Sequence, residues 1–266
     1  MSSKDYEVVK SLGKGEFGQV FLMNEKQTGK PVAVKIIKKS DKSNSRVKRE
    51  AFIPKYLGCT HKNIICGITS FEEKQNVYVV YEYVQGVTTI DKYKPDLHSK
   101  HGKLQLLDIF QQLADGLAYM HSKGIAHRDI KDENILIKGQ VPFYIDFDIA
   151  CSFTGALPEF KCPKVIAGTP HYIAPEIIQG APEDYSKADV WSLGIVFYYL
   201  LARKTPFESF TMERTFKSIL LDDVPPFKSG LPRLDILILL MLQKNPRKRP
   251  TAAEVKDILN EMIKEL

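Results

Sequence analysis

A chain of 266 residues, 44% hydrophobic and 26% charged, has an ordinary globular balance, can form one large domain or two lobes around separate cores, and is not a disordered polymer. Lysine and arginine outnumber aspartate and glutamate by 38 to 32, a net +6 that suits an anionic partner such as nucleotide, nucleic acid or membrane. No window reaches the roughly 18 apolar residues of a membrane span, and residues 1–5 lack the apolar run of a secretory signal.

The first patterned stretch is Leu12-Gly13-Lys14-Gly15-Glu16-Phe17-Gly18-Gln19-Val20, a G-x-G-x-x-G-x-V sequence. Dinucleotide-binding proteins share its core but need a helix directly after the glycines. Here Gln19 to Met23 alternates like a strand, residues 27–31 read as a turn, and Val32 to Ile37 resumes as a strand. The glycines therefore sit in a hairpin loop, where backbone N–H groups can approach phosphate oxygens and Phe17 can cap the tip. Lys35 lies on the second strand, 17 residues after Gly18. A lysine on an apolar strand is ordinarily a solvent-edge residue, but this spacing favours phosphate binding. The basic block Lys35, Lys38, Lys39, Lys42, Arg46, Lys48 and Arg49 has no interleaved aromatics. It reads as a solvated face, so specific nucleic-acid binding is not expected.

Val77 to Val84 is a further strand, and Gln85-Gly86 after it is a natural break between lobes. From Leu104 to His121, Leu106, Leu107, Phe110, Leu113, Leu117 and Met120 recur at helical spacing, which predicts a core-facing helix. The helix delivers the chain to Ala126–Leu136, where charges crowd between apolar residues. Asp129 can accept the proton of an attacking hydroxyl, Lys131 can steady charge on a transferring phosphoryl group, and Asn134 can offer an oxygen to a divalent metal. A short strand, Val141 to Ile145, then ends at Asp146-Phe147-Asp148. Asp189 opens a helix that stays apolar to Ala202 and is either its N-cap or a brace for the loop around His127 and Arg128. Thr251 to Glu254 is a capping box for the last helix.

His127-Arg128-Asp129 with Asn134 resembles the H-R-D-x-x-x-x-N catalytic loop of eukaryotic protein kinases. Val32-Ala33-Val34-Lys35, Asp146-Phe147-Asp148, the stretch Gly168 to Glu176, and Asn245 to Pro250 are similar to that family's other motifs, in its order, and the resemblance covers residues 6–266. It implies an α+β bilobal fold, with a small mainly-β lobe in residues 1–84 and a larger mainly-α lobe in residues 85–266. It also implies transfer of the γ-phosphoryl of ATP to serine or threonine hydroxyls of proteins. Leu12, Gly13, Lys14, Gly15, Glu16, Phe17, Gly18, Gln19 and Val20 would then enclose the nucleotide, with Lys35 on its phosphates and Glu50 as the partner of Lys35. Val20 and Ala33 would lie above the adenine and Leu136 beneath it, with Tyr81 at the gatekeeper position and the backbones of Glu82 and Val84 at the adenine edge. Asn134 and Asp146 would hold Mg²⁺, with Mn²⁺ as an alternative. Thr169 would bond Asp129 and Lys131, and Arg249 would pair with Glu176.

Several residues depart from the pattern and carry their own expectations. Pro54, four residues after Glu50, predicts a kinked or late-starting helix and a weakened Lys35–Glu50 pair. Gly67 leaves a space that the Tyr81 ring is expected to fill. Asp148 stands where glycine is usual; aspartate tolerates left-handed backbone angles, and this one either helps recruit metal or marks an impaired enzyme. The position four before Thr169 is Val165, which cannot be phosphorylated, so Glu159 is a candidate anion for Arg128. Asp132 and Glu133 suggest basic residues upstream of the acceptor. Cys59, Cys66, Cys151 and Cys162 are too sparse to staple the chain, so a reduced intracellular location, cytoplasmic or nuclear, and a monomer are expected. The alternative reading is a pseudokinase scaffold, favoured by Asp148, Pro54 and Gly67.

Overall fold

The alternating N-terminal third folds as a five-stranded antiparallel sheet of β1 (Tyr6–Gly15), β2 (Gly18–Glu25), β3 (Pro31–Lys38), β4 (Gly67–Glu73) and β5 (Asn76–Glu82), in the order β1-β2-β3-β5-β4. This computed structural model describes residues 1–15, 18–39, 44–180 and 184–266. The expected roles of Glu16 and Phe17 fall outside the described residues. Because strand side chains alternate, one face gathers Val32, Val34 and Val80 with Tyr6 and Met23 into a small core, capped by stacked Tyr6, Phe71 and Tyr78. The other face carries Ala33, Lys35 and Tyr81. In register, Ala33 lies opposite Tyr81 and Tyr81 opposite Gly67.

Helix α1 (Asn44–Leu57), between β3 and β4 in the chain, packs on that second face. It runs continuously from Asn44 through Pro54, so the helix does not start late, which corrects that part of the expectation. Pro54 lies in the last turn, where few intrahelical bonds remain downstream, and the Gly58 N–H closes the end on the carbonyls of Pro54 and Lys55 at 3.2 Å each. Gly67 explains how the helix sits so close. A Cβ there would fall 2.8 Å from Pro54 Cβ and 2.9 Å from the Lys55 nitrogen. The space left by Gly67 is thus filled by the helix itself and not by the Tyr81 ring, a second correction.

The remainder is mainly helical. After β6 (Thr88–Thr89) comes α2 (Lys100–Ser122), then β7 (Ile125–Ala126), β8 (Ile135–Lys138), β9 (Val141–Tyr144) and β10 (Cys151–Ser152). These short strands form two small sheets, β6-β8-β9 and β10-β7, that carry the charged loops on their ends. Then follow α3 (Pro175–Ile178), α4 (Tyr185–Ala202), α5 (Met212–Leu221), α6 (Pro232–Met241) and α7 (Ala252–Glu265). Helix α2 turns the predicted apolar face to the core and lies against α7, and Phe110 stacks on Phe197 of α4 at 3.7 Å. Helix α4 is buried nearly all round. Its N-cap is Asp184, accepting from the Ser186 N–H, which leaves Asp189 for the loop. The Thr251–Glu254 capping box is present.

All four cysteines are paired, which corrects the reading of free thiols: Cys59 bonds Cys66 and Cys151 bonds Cys162. The sequence separations of 7 and 11 carried no signal, because the fold, not the spacing, joins the sulfurs. One bridge closes the loop between α1 and β4. The other ties β10 to the segment running alongside it, where Ser152 pairs with Lys161. The cysteine content therefore no longer argues for a reducing compartment.

The close seat of α1 on β4 makes Gly67 a sensitive position. Gly67→Ala is expected to cost about 1–3 kcal/mol by overpacking, seen as a fall of several degrees in Tm. An unchanged Tm would mean that the helix end can lift off the strand.

Candidate active site

Between the sheet and the helical part lies a cleft of about 1040 Å³. Leu12, Gly13, Lys14, Gly15, Gly18 and Val20 from β1 and β2 form its roof with Ala33 and Lys35 of β3. Its back and rim are Glu50, Tyr81, Glu82 and Val84, and its floor includes Leu136, Asn134, Asp146, Asp129, Lys131 and Thr169. Gln19 does not line the cleft; its amide turns to the Ser11 hydroxyl at 3.2 Å, tying β2 to β1. The Glu82 N–H donates to the Cys66 carbonyl at 3.1 Å, so it is already engaged within the protein.

Lys35 is buried, and its ammonium bridges two carboxylates, Glu50 Oε1 at 2.8 Å and Asp146 Oδ1 at 2.7 Å. Burial opposes its charge, but Glu50 and then Asp146 more than offset that and hold its pKa above the usual lysine value. Burial would raise the Asp146 carboxyl, yet Lys35 outweighs it and holds Asp146 below the usual carboxylate range. The pair expected to be weak is therefore closed: Pro54 does not displace Glu50, because both residues sit on the face that α1 presents to the sheet. Glu50 also accepts from the Tyr81 hydroxyl at 2.6 Å and, through Oε2, from the Phe147 N–H at 2.7 Å. Neither of these two contacts was read from the sequence. The signal available was the placement of Tyr81 between Ala33 and Gly67, two small neighbours that let α1 approach its ring.

The second cluster centres on Asp129. Its Oδ1 accepts from the Thr169 N–H at 3.0 Å and hydroxyl at 2.9 Å, while Oδ2 accepts from Asn134 Nδ2 at 2.8 Å and lies 3.3 Å from Lys131 Nζ. Lys131 also donates to the Thr169 hydroxyl at 2.9 Å. Burial of Lys131 opposes its charge, but Asp129 and Glu133 outweigh it, so Lys131 stays a cation. Two backbone positions here are left-handed without glycine, Arg128 at φ 68° and Asp146 at φ 65°. Such angles cost on the order of 1–2 kcal/mol each. Asp189 offsets the first by accepting from the N–H groups of His127 and Arg128, both at 2.8 Å. The His127 ring accepts from the Asp129 N–H at 3.3 Å through Nδ1, so Nε2 carries the proton that it donates to the Ile145 carbonyl at 3.0 Å.

The left-handed residue is thus Asp146 and not Asp148, a correction that removes the need for glycine at position 148. The Asp148 side chain is buried and turns toward Arg46 of α1, 3.5 Å away. Arg128 was expected to meet Glu159, and this too is corrected. The Arg128 guanidinium donates to the carbonyls of Ile149 at 3.0 Å and Val165 at 3.4 Å and lies over the Tyr185 ring, whereas Glu159 pairs with Lys48 of α1 at 3.3 Å. Arg249 makes a two-pronged bond to Glu176 at 2.7 and 2.8 Å.

A buried lysine bridging two carboxylates, beneath a glycine hairpin and above an Asp-Asn-Lys-Thr cluster, is a geometry for handling phosphate. The family model described as protein kinase domain matches residues 6–259. The chain belongs to the protein kinase family. A putative serine/threonine-protein kinase of Acanthamoeba polyphaga mimivirus is 33% identical to it, over 98% of this chain and 95% of the viral one. A probable myosin light chain kinase of Dictyostelium discoideum is 38% identical over 81% of this chain and 69% of its own length. Human serine/threonine-protein kinase Nek5 is 32% identical over 92% of this chain, which spans 35% of that larger protein. The activity of this protein kinase is therefore that of the serine/threonine class, with ATP and proteins as substrates and a divalent metal in general use across the family.

Asp148 gives this kinase a pH signature. Burial first, then the Asp146 and Glu50 carboxylates, push it up to about 7 from 3.8. A carboxyl raised on folding contributes stability that is complete below its unfolded value of 3.8, falls progressively as pH rises from there, and is fully lost above about 7. In metal-free protein, Asp148→Asn should therefore raise Tm relative to wild type by more at pH 8 than at pH 5, where only part of the contribution has been lost. A thermal-unfolding difference that is the same at both pH values would contradict this placement of Asp148.

Proposed function

We propose that this kinase positions ATP with the glycine hairpin and Lys35, orients the acceptor hydroxyl with Asp129, and divides at Val84 into lobes that close on the nucleotide. The observation that carries the reading is the Lys35 ammonium shared by Glu50 and Asp146 in a cleft that Asn134 and Asp129 also line. Val20, Ala33 and Leu136 offer apolar surface to the adenine, and the Val84 N–H faces its edge as donor.

The donor set suits a hard divalent cation such as Mg²⁺. Asn134 uses its Nδ2 on the backbone and side chain of Asp129, which leaves its oxygen for a metal, and Lys35 occupies only one oxygen of Asp146. When bound, Mg²⁺ or Mn²⁺ would neutralise charge on the phosphates. Asp129 holds the acceptor hydroxyl in line and takes its proton as the bond from oxygen to the γ-phosphorus forms and the bridge to the β-phosphate breaks. Lys131, held by Asp129 and Thr169, steadies the charge that develops on the transferred group.

An exposed Glu133 carboxylate beside Lys131 supports a preference for basic residues near the acceptor. Asp132 contributes less, because it accepts from the Tyr172 hydroxyl. The features that favoured an inactive scaffold are each accommodated: Pro54 and Gly67 pack together, and Asp148 leaves the Lys35 bridge intact.

Asp129→Asn should lower phosphoryl transfer to Ser/Thr peptides by about 100-fold or more, the scale of losing a general base, with nucleotide affinity retained. Undiminished turnover would contradict the assignment. A Ser/Thr peptide array phosphorylated by the wild-type protein should show basic residues near the acceptor, and acidic residues enriched upstream would remove that preference.

A further inference from the structure

The Tyr81 ring stands at the back of the cleft, where its bulk accounts for its burial but not for its hydroxyl. That hydroxyl lies 2.6 Å from Glu50 Oε1, the same oxygen that receives Lys35 Nζ at 2.8 Å. The other oxygen is taken by the Phe147 N–H at 2.7 Å. Burial first, and then the Glu50 carboxylate, push the Tyr81 phenol well above its usual value, so the hydroxyl keeps its proton and the direction of donation is fixed. The bond joins β5 to α1.

The reach of this hydroxyl follows from its neighbours. Tyr81 lies opposite Ala33 on one side and Gly67 on the other. Gly67 lets the end of α1 settle on β4 at Pro54. Glu50, one turn earlier on the same helix face, is thereby brought over the phenol. A larger residue at position 67 would lift the helix and lengthen the bond.

We propose that the Tyr81 hydroxyl is a positioning group for phosphoryl transfer: it fixes the Glu50 carboxylate, and through it the Lys35 ammonium, in the geometry that meets the nucleotide phosphates. This rests on the role proposed above for the Lys35–Glu50 pair. Lys35 is a long side chain between two acceptors, Glu50 and Asp146. A Glu50 carboxylate free to turn would let Lys35 drift toward Asp146 and compete for a group that the metal requires. With Tyr81 and Phe147 each holding one carboxylate oxygen, Glu50 is locked in rotation and Lys35 has one place to be.

The test is a mutant cycle read by steady-state kinetics with Mg-ATP and a Ser/Thr peptide. Tyr81→Phe keeps the ring and removes only the hydroxyl. It should lower kcat/KM for ATP by about tenfold, the scale of a hydrogen bond to a charged group, with the fall in kcat and the KM for peptide unchanged. In a Glu50→Ala background, where the acceptor is gone, the same substitution should change kcat/KM by less than about twofold. Tyr81→Leu, also without a donor, keeps the test open should the phenylalanine variant misfold, and should add nothing over Glu50→Ala. Wild-type kinetics in Tyr81→Phe, or an equal loss in both backgrounds, overturns the proposal. Wild-type kinetics in Glu50→Ala would instead overturn the reading of the Lys35–Glu50 pair on which it rests.

Discussion

The Glu50 carboxylate is buried at 1% exposure, and taking such a charge out of water costs several kcal/mol unless every lone pair finds a donor. Here the donors come from three separate parts of the chain: Lys35 on β3, Tyr81 on β5 and the Phe147 amide after β9. A single acidic side chain on α1 therefore joins the sheet to the loop that carries Asp146. Losing the Phe147 amide would leave Oε2 unmatched and losing Lys35 or Tyr81 would leave Oε1 with a single donor, which is why the three elements keep their relative places. The apolar contact that makes this possible is small. Helix α1 reaches the sheet because position 67 has no side chain.

Asp189 plays the corresponding part on the helical side. It is almost fully buried in α4 and accepts from the backbone of His127 and Arg128, and His121 lies 3.0 Å from one of its oxygens. These bonds hold Arg128 in a left-handed conformation that its side chain would otherwise resist, and the turn delivers Asp129 to Thr169, Lys131 and Asn134. The two clusters are joined through His127, which bonds the Ile145 carbonyl and packs on Phe147 at 4.9 Å. Further along the chain, Phe160 stacks on Phe52 of α1 at 5.0 Å and Glu159 pairs with Lys48. The segment closed by Cys151–Cys162 thus rests on the helix that carries Glu50. Arg128 meets the carbonyls of Ile149 and Val165 on either side of that segment, bonds made without a carboxylate.

The order and spacing of the motifs were legible because each residue type is dictated by local chemistry. Glycines are needed where backbone must approach phosphate, Asp129 and Asn134 are five residues apart on one loop, and Thr251 with Glu254 closes a helix end by a purely local pattern. What the sequence did not disclose depends on contacts between distant segments. Pro54 reads as a helix breaker when only its own helix is considered, but it becomes a packing residue once Gly67 is placed against it. Asp148 looks like a replacement for a flexible glycine, yet the positive φ falls on Asp146. The cysteines pair through a fold that their separations in the chain do not encode. Tyr81 could be read as a bulky ring, whereas the position of its hydroxyl depends on where α1 comes to rest.

The central claim is that the Glu50 carboxylate holds the site together before any ligand arrives. Residue-resolved hydrogen exchange at the Phe147 amide of nucleotide-free protein measures this most directly, because that N–H is donated to Glu50 Oε2. Strong protection in the wild type that is lost in Glu50→Ala, while amides of α4 keep theirs, is the expected result. Equal exchange at Phe147 in the two proteins would contradict the account.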